Sequence, residues 1–348
     1  HHRDLHLSIR RQRQMCIRDR SGGDYWYHNH GHYDMQMMRE LARRVPVLFV
    51  NSIGFRAPSL SEGGMFFERV GRKVRSLSRG LVHVRDGFWV MSPVAAPIPI
   101  AKHLVHKLAP LQIRRAAKRV GIRAPLVWAA FPPAARIARS LPAQGLVYQR
   151  TDRWESYPGI HREEVLSLHR ELQEKSNLTL YCASLLFEEA HDACRNRAYL
   201  DHGDDYARFE EAGTREHGQP EDIRAIPPPR VGIVGGIDES TCDPELFLEV
   251  ARRLPEIHFV CVGGCTLPSG WVALANVHLL GQRPYAEVAG YMAACDVLIM
   301  PWNRSEWIQA CNPIKLKEYL AVGRPIVTTP FFEPVSYTHL TLPTNREV

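Results

Sequence analysis

The chain has 348 residues, 45% hydrophobic and 23% charged, enough for two domains with sizeable cores and unlike a disordered or fibrous protein. No run of about 18 apolar residues occurs, and the nearest, residues 87–101, is broken by Pro93, Pro97 and Pro99, so no transmembrane helix is expected. The net charge of +7 is uneven: residues 1–20 carry +4, residues 21–229 carry +6 and residues 230–335 carry −3, so the basic balance lies in the N-terminal half.

Both ends, residues 1–20 and 336–348, lack apolar periodicity and resemble translated sequencing-adapter sequence. Both are therefore expected to lie outside the fold, as artefact or disordered tails. Next comes a polar loop in which His28, His30 and His32 alternate. Metal ligation, contact with a substrate in a cleft and a plain loop are the three readings, and no carboxylate or cysteine completes a familiar metal set. A helix over 34–44 and a strand over 47–50 follow. Short apolar runs recur at 81–84, 88–91, 126–130, 146–148 and 178–181, mostly with helical patterns between them, which predicts a mainly parallel sheet covered by helices.

Residues 100–120 form an unusual helix candidate, with Lys102, Lys107, Arg114, Arg115, Lys118 and Arg119 among leucines, valine and isoleucine and no acid at all. Two readings stand side by side: a basic amphipathic surface able to lie on anionic lipid, and a solvated helix packed on the sheet. Asp152 follows a predicted strand and so sits at a carboxyl end, where α/β sheets bind ligands. It is a candidate catalytic base, against the plainer role of a turn or cap residue. The stiff stretch Ile226-Pro227-Pro228-Pro229 marks a linker at 223–229 between a domain over 21–222 and one over 230–335.

The second domain opens with a strand running into Gly235-Gly236, where backbone can approach a ligand closely. Helices over 244–254 and 284–294 alternate with strands over 258–262, 277–280 and 297–300. Eight cysteines lie scattered without a zinc-type pair of pairs, and Cys261 and Cys265 read as the end of a buried strand. Reduced thiols in a cytoplasmic enzyme fit best. No G-x-G-x-x-G opens either half, which disfavours a dinucleotide-dependent dehydrogenase.

The informative stretch is 312–329, N-P-I-K-L-K-E-Y-L-A-V-G-R-P-I-V-T-T. Asn312 suits an N-cap and Pro313 a first helical position, with Gly323 closing the helix before a β-branched strand. Lys315 in the first turn opposes the helix dipole, an arrangement that a bound anion reverses in sign. Glu318 lies three residues on, near the same face. A cation followed by a carboxylate suits a nucleoside diphosphate, with phosphate at the helix N-terminus and ribose hydroxyls on Glu318. A solvated lysine beside an intrahelical ion pair is the alternative.

Asn312-Pro313, Lys315, Glu318-Tyr319-Leu320-Ala321, Gly323 and Pro325 resemble the donor-binding helix of GT-B glycosyltransferases, near family 4 and its teichuronic-acid and capsule relatives. The segment 281–302, G-Q-R-P-Y-A-E-V-A-G-Y-M-A-A-C-D-V-L-I-M-P-W, is similar to the one preceding that helix. Residues 200–206 resemble the loop that ends the N-terminal domain in these families. The resemblance implies an α/β protein of two Rossmann-like domains facing across a cleft, the C-terminal one incomplete at about residue 335. It implies transfer of a sugar from a nucleotide-diphosphate sugar to a hydroxyl acceptor, a lipid-linked or cell-envelope glycan. Gly235, Gly236, Arg283, Asn312, Pro313, Lys315 and Glu318 would bind donor, with no metal or other cofactor and no nucleic-acid partner. The place of action would be the cytoplasm, peripheral on the inner face of the plasma membrane through an anionic lipid surface. The family pattern has two glutamates separated by seven residues, and Ala310 stands at the first. A nucleotide-sugar epimerase of the same architecture and a non-catalytic nucleotide- or lipid-binding module are the rival readings.

Overall fold

The computed structural model describes residues 13–17, 25–26, 33–51, 79–93, 102–191, 193–214, 219–267 and 274–333. They fall into two compact α/β units. The first takes residues up to 155, 160–182 and 186–200, and the second takes 156–159, 183–185 and everything from 201 onward.

In the first unit β1 (Arg13–Ile17), β2 (Val47–Val50), β3 (Leu81–Arg85), β4 (Phe88–Met91), β5 (Pro125–Ala129), β6 (Gly145–Arg150), β7 (Leu178–Tyr181) and β8 (Arg197–Tyr199) make one sheet. Its order is β3-β4-β2-β1-β5-β6-β7-β8, parallel throughout except for the β3–β4 hairpin. Period-two alternation divides the core between the two faces. Leu48 and Val50 join Ile113, Ala116 and Ala117 of α2 (Lys102–Arg119), while Val47 and Phe49 join Met35 and Met38 of α1 (Tyr33–Leu41). A third helix, α3 (Arg162–Lys175), adds Leu168 and Leu172 to the α2 face.

β1 corrects the expectation that residues 1–20 lie outside the fold. Its backbone runs between β2 and β5, with Gln14 opposite both Val47 and Leu126 and Ile17 opposite both Val50 and Ala129. The physical reason is hydrogen bonding: β2 and β5 are interior strands, and each needs a partner on the side that β1 supplies. Absence of periodicity was a poor guide, because a central parallel strand reads as a short continuous run such as Met15-Cys16-Ile17. His28, His30, His32 and residues 336–348 lie outside the described residues.

The second unit contains five parallel strands, β9 (Arg230–Val234), β10 (His258–Val262), β11 (Val277–Gly281), β12 (Val297–Met300) and β13 (Ile326–Thr328), in the order β11-β10-β9-β12-β13. The longer helices are α4 (Tyr206–Thr214), α5 (Pro244–Arg253), α6 (Tyr285–Ala293) and α7 (Ile314–Val322), beside single turns at Glu221–Arg224 and Glu306–Gln309. α5 begins where Asp243 accepts the Leu246 N–H at 3.0 Å and buries Phe247 and Ala251 on one face of the sheet. α7 ends at Gly323, whose φ of 74° is the left-handed closure expected from its sequence.

The boundary also differs from the expected linker at 223–229. Phe209 of α4, Ile223 and Ile226 are buried in the same cluster as Leu298, Leu316 and Tyr319, so residues 201–229 belong to the second unit. The three prolines lead into β9 as part of that unit, with the Pro229 carbonyl accepting from His258 N–H at 3.0 Å.

Candidate functional site

The strand order of the second unit places a topological switch between β9 and β12, since the chain moves outward through β10 and β11 before returning to β12 and β13. Crevices at the carboxyl ends of strands at such a point are where open α/β sheets bind ligands. β12 pairs with β9 only at Val297–Val231 and Leu298–Gly232, then diverges. The Tyr319 hydroxyl of α7 takes over the exposed ladder position, accepting from Val234 N–H at 2.9 Å and donating to Val234 O at 3.4 Å.

Beyond Val234 the chain turns at Gly235 (φ 129°) and, on the next strand, at Gly263 (φ 150°), both in the region that favours glycine. A Cβ on Gly263 would strike the Gly235 carbonyl, and one on Gly235 would strike the Lys315 ammonium. Lys315 therefore lies directly against the first glycine turn. Gly236 follows in the same turn. The Lys315 ammonium also stands 5.8 Å from the centre of the Trp302 ring, which stacks on Phe331 at 5.2 Å. Among the described residues Lys315 forms no salt bridge with a carboxylate. Burial depresses its pKa, with Glu318 opposing that shift.

The loop after Gly236 is held in place by its own hydrogen bonds. Asp238 accepts from Ser240 N–H at 2.9 Å and Thr241 N–H at 3.0 Å, and Asn303 donates to the Glu239 and Ser240 carbonyls. Cys242 bridges to Trp302, and burial raises its thiol pKa to about 12, so it is an inert packing group.

Glu318 is buried and accepts from the Tyr285 hydroxyl at 2.9 Å. Burial raises its pKa to about 7, against the lowering effects of that hydrogen bond and of Lys315. The cation and carboxylate expected from the spacing are thus on one helix, with Lys315 against the glycine turn and Glu318 against Tyr285. Two expected roles change. Pro313, in extended conformation, occupies the N-cap position and the helix starts at Ile314, one residue later than predicted. The Asn312 side chain donates to Asp201 at 2.8 Å, where the Lys317 ammonium also stands at 2.9 Å. Arg283 is taken up elsewhere: Asp222 accepts from its guanidinium at 2.6 Å and from the Tyr291 hydroxyl at 2.9 Å, in a recess with Glu287 and Arg324.

Ala310 is 1% exposed, and the nearby Glu306 accepts from Ser156 at 2.8 Å. In the N-terminal unit Asp152 follows β6 at the carboxyl end of the sheet, as its position predicted, and is buried. Its turn is fastened by the buried Arg150–Glu155 ion pair at 2.7 Å and by Trp154 set edge-on to Phe131 at 4.7 Å. No group of three or more His, Cys, Asp or Glu that could hold a metal occurs among the described residues. Sequence reasoning did not single out Trp302, Gly263, Asp201 or the Tyr319 hydroxyl, although Trp302, Asp201 and Tyr319 lie in the stretches that carry the resemblance and Gly263 sits in a Gly-Gly pair after a strand, like Gly235-Gly236.

Residues 228–339 match the family model of glycosyl transferases group 1. Over 104 residues the chain is 36% identical to a putative teichuronic acid biosynthesis glycosyltransferase, TuaH, of Bacillus subtilis (strain 168), covering 28% of this chain. The matched stretch spans 26% of that relative's length. Sucrose-phosphate synthase from Thermosynechococcus elongatus superposes with a TM-score of 0.64 at 15% identity, covering 92% of this chain and 82% of that one. HepE of Anabaena in complex with UDP-glucose does so with 0.60 at 16% identity, covering 93% and 82%. The chain therefore has the GT-B fold, and the family match lies within the part of the sequence that supplies its second unit.

Proposed function

We propose that the protein is a glycosyltransferase that moves a sugar from a nucleotide-diphosphate sugar to a hydroxyl acceptor. The observation that carries this reading is the Lys315 ammonium lying against the Gly235 turn beside the first turn of α7. Backbone N–H groups, helix dipole and ammonium there supply the positive charge that a departing diphosphate needs, so no metal is required for the leaving group. Glu318 would accept from the ribose hydroxyls, and Gly235 and Gly236 would admit the phosphates. Asp152 is the proposed base for the acceptor hydroxyl.

HepE was solved with UDP-glucose, which supports a uridine diphosphate sugar as the first donor to test. The teichuronic acid role in the name of TuaH supports a cell-envelope or lipid-linked glycan as acceptor. Seven cysteines among the described residues, none of them in a disulfide, support a reducing, cytoplasmic setting. Ala310 favours a second reading, a module that binds the nucleotide without transferring sugar, because the acidic side chain that the family pattern puts there is missing.

The test is calorimetric titration with nucleoside diphosphates and nucleotide sugars, followed by assay of diphosphate release. Saturating ligand at about 100 times its dissociation constant adds roughly 2.7 kcal/mol of stability, readable as a thermal shift. Lys315→Ala is expected to weaken nucleoside diphosphate binding about ten- to a hundredfold, the loss of one charge-assisted contact. Unchanged affinity in that variant overturns the reading, and binding without diphosphate release from any donor selects the module.

A further inference from the structure

We propose that His258 and His278 together hold a divalent transition-metal ion of tetragonal preference, nickel(II) or copper(II), at the outer edge of the second unit's sheet. The inference does not rest on the transferase reading. His258 opens β10, and His278 lies in β11, the edge strand beside it. Val260 stands opposite His278 in that pairing, so His258 is the diagonal neighbour two residues back on the same face. Both histidines are half-buried, on the face where Val260 and Leu280 join the core.

The His258 Nδ1 and His278 Nε2 atoms are 2.9 Å apart, with ring centres at 5.2 Å and planes inclined by 39°. Only one proton fits between two nitrogens so placed: one neutral ring donates and the other accepts, and a second proton would set two N–H groups against each other. Burial and then His258 lower the His278 pKa, which keeps it in the neutral form that a metal ligand needs. Two nitrogens about 2.0–2.1 Å from one ion and at right angles stand about 2.9 Å apart, against about 3.3–3.4 Å for a tetrahedral pair. The observed separation is that of a square-planar or octahedral edge, which suits nickel(II) and copper(II) better than zinc. Rotation of the two rings turns their lone pairs to a common point. The bridging proton shifts to the far nitrogen of its own ring, and water fills the remaining coordination positions.

The backbone on either side is already fixed. His258 N–H donates to Pro229 O at 3.0 Å, Phe259 N–H donates to Asn276 O at 2.8 Å, and the Asn276 amide donates to the Ala251, Leu254 and Ile257 carbonyls at 3.0–3.1 Å. Arg230, opposite His258 on β9, engages its guanidinium with the Ile226 and Ala294 carbonyls. The histidines lie toward the amino end of β10, whereas Gly263 and the candidate nucleotide site lie at its carboxyl end. A bound ion would tie the edge strand to its neighbour, remote from the donor.

Titration of the whole chain with Ni2+, followed by its melting temperature, tests the proposal, with Mg2+ as a hard cation that imidazoles do not hold. Ni2+ is expected to raise the melting temperature to a plateau and Mg2+ to leave it unchanged. His258→Gln and His278→Gln should each weaken Ni2+ binding about tenfold or more, since losing a ligand costs at least what losing an outer partner does. The double variant should be no weaker than either single one, because one imidazole alone does not hold the ion. In the wild type, Ni2+ should protect His258 and His278 from diethyl pyrocarbonate, read residue by residue by peptide mass spectrometry. That measurement needs no variant and decides the matter should one fail to fold. No Ni2+ effect on the wild type, an unchanged response in either single variant, or protection confined to other histidines overturns the proposal and leaves the pair as a hydrogen bond between strands.

Discussion

The Tyr319 hydroxyl accepts the Val234 N–H at 2.9 Å, one residue before the chain turns at Gly235. At that position β12 has already left β9, so a side chain of α7 fills the vacant ladder site. Lys315 is one helical turn before Tyr319 on the same helix. The bond that completes the sheet therefore also fixes where the ammonium stands relative to the glycine turn.

Tyr319→Phe is expected to leave a buried N–H without a partner, which costs about 1–3 kcal/mol. Chemical denaturation should show the loss as a lower midpoint at unchanged slope. Nucleoside diphosphate affinity should fall as well, since the Gly235 turn loses its tether. Unchanged stability would mean that water satisfies Val234 equally well.

The glycine turns make opposite demands. Alanine at Gly263 would meet the Gly235 carbonyl, which is backbone and cannot move aside, in addition to about 1–3 kcal/mol for its φ of 150°. Alanine at Gly235 would meet the far end of a flexible lysine instead. Gly263→Ala should thus lower the melting temperature more than Gly235→Ala, while Gly235→Ala displaces Lys315 and should lose at least tenfold in diphosphate affinity. Equal melting temperatures and affinities would contradict this geometry.

How much of this was legible in the sequence follows from the reach of each interaction. The helix of 314–322, its glycine closure, and the cation and carboxylate three residues apart depend on local spacing, and all are found. The start of the helix was misplaced by one residue because Asn312 has a distant rival partner in Asp201, 111 residues away. Tyr319 read as a core residue, and its 0% exposure agrees, yet its hydroxyl does work that depends on strand divergence. Arg283 looked local to the site but answers to Asp222. The strand at Arg13–Ile17 was missed for a different reason: resemblance to adapter sequence says nothing about whether a sheet has room for it.

Glu318 yields a pH dependence with a definite sign. Its pKa rises from the ordinary 4.5 to about 7 in the fold, so the folded state holds the proton more tightly than the unfolded chain. Stability is then fully retained below pH 4.5 and declines as pH rises toward 7, by on the order of 3 kcal/mol over the window. Glu318→Gln should flatten that decline. Ligand binding runs the other way: ribose hydroxyls need the carboxylate, so the wild type should gain nucleoside diphosphate affinity across pH 7 relative to Glu318→Gln. Parallel profiles for the two proteins would remove Glu318 from the ribose site.

Asp201 separates positioning from simple stability. Its carboxylate accepts from Asn312 at 2.8 Å, from Lys317 and from its own neighbour His202 N–H at 2.7 Å. Burial raises its pKa, but the Lys317 and Asn312 bonds outweigh burial and leave it below the ordinary value. The stability it contributes is therefore present above the ordinary aspartate range and lost only in strong acid. Asp201 is half exposed, so the ion pair itself is worth about 1 kcal/mol or less. Lys317→Ala should cost that amount and leave nucleoside diphosphate affinity alone, since Asn312 keeps its partner. Asp201→Ala should cost more and also weaken the ligand several-fold, because Asn312, two residues before α7, loses the contact that orients the approach to Lys315. Asp201→Asn, which can still accept from Asn312, should restore affinity without restoring the full stability. Calorimetric titration and denaturation of the three variants decide between the roles, and equal affinity in all three would reduce Asp201 to a surface ion pair.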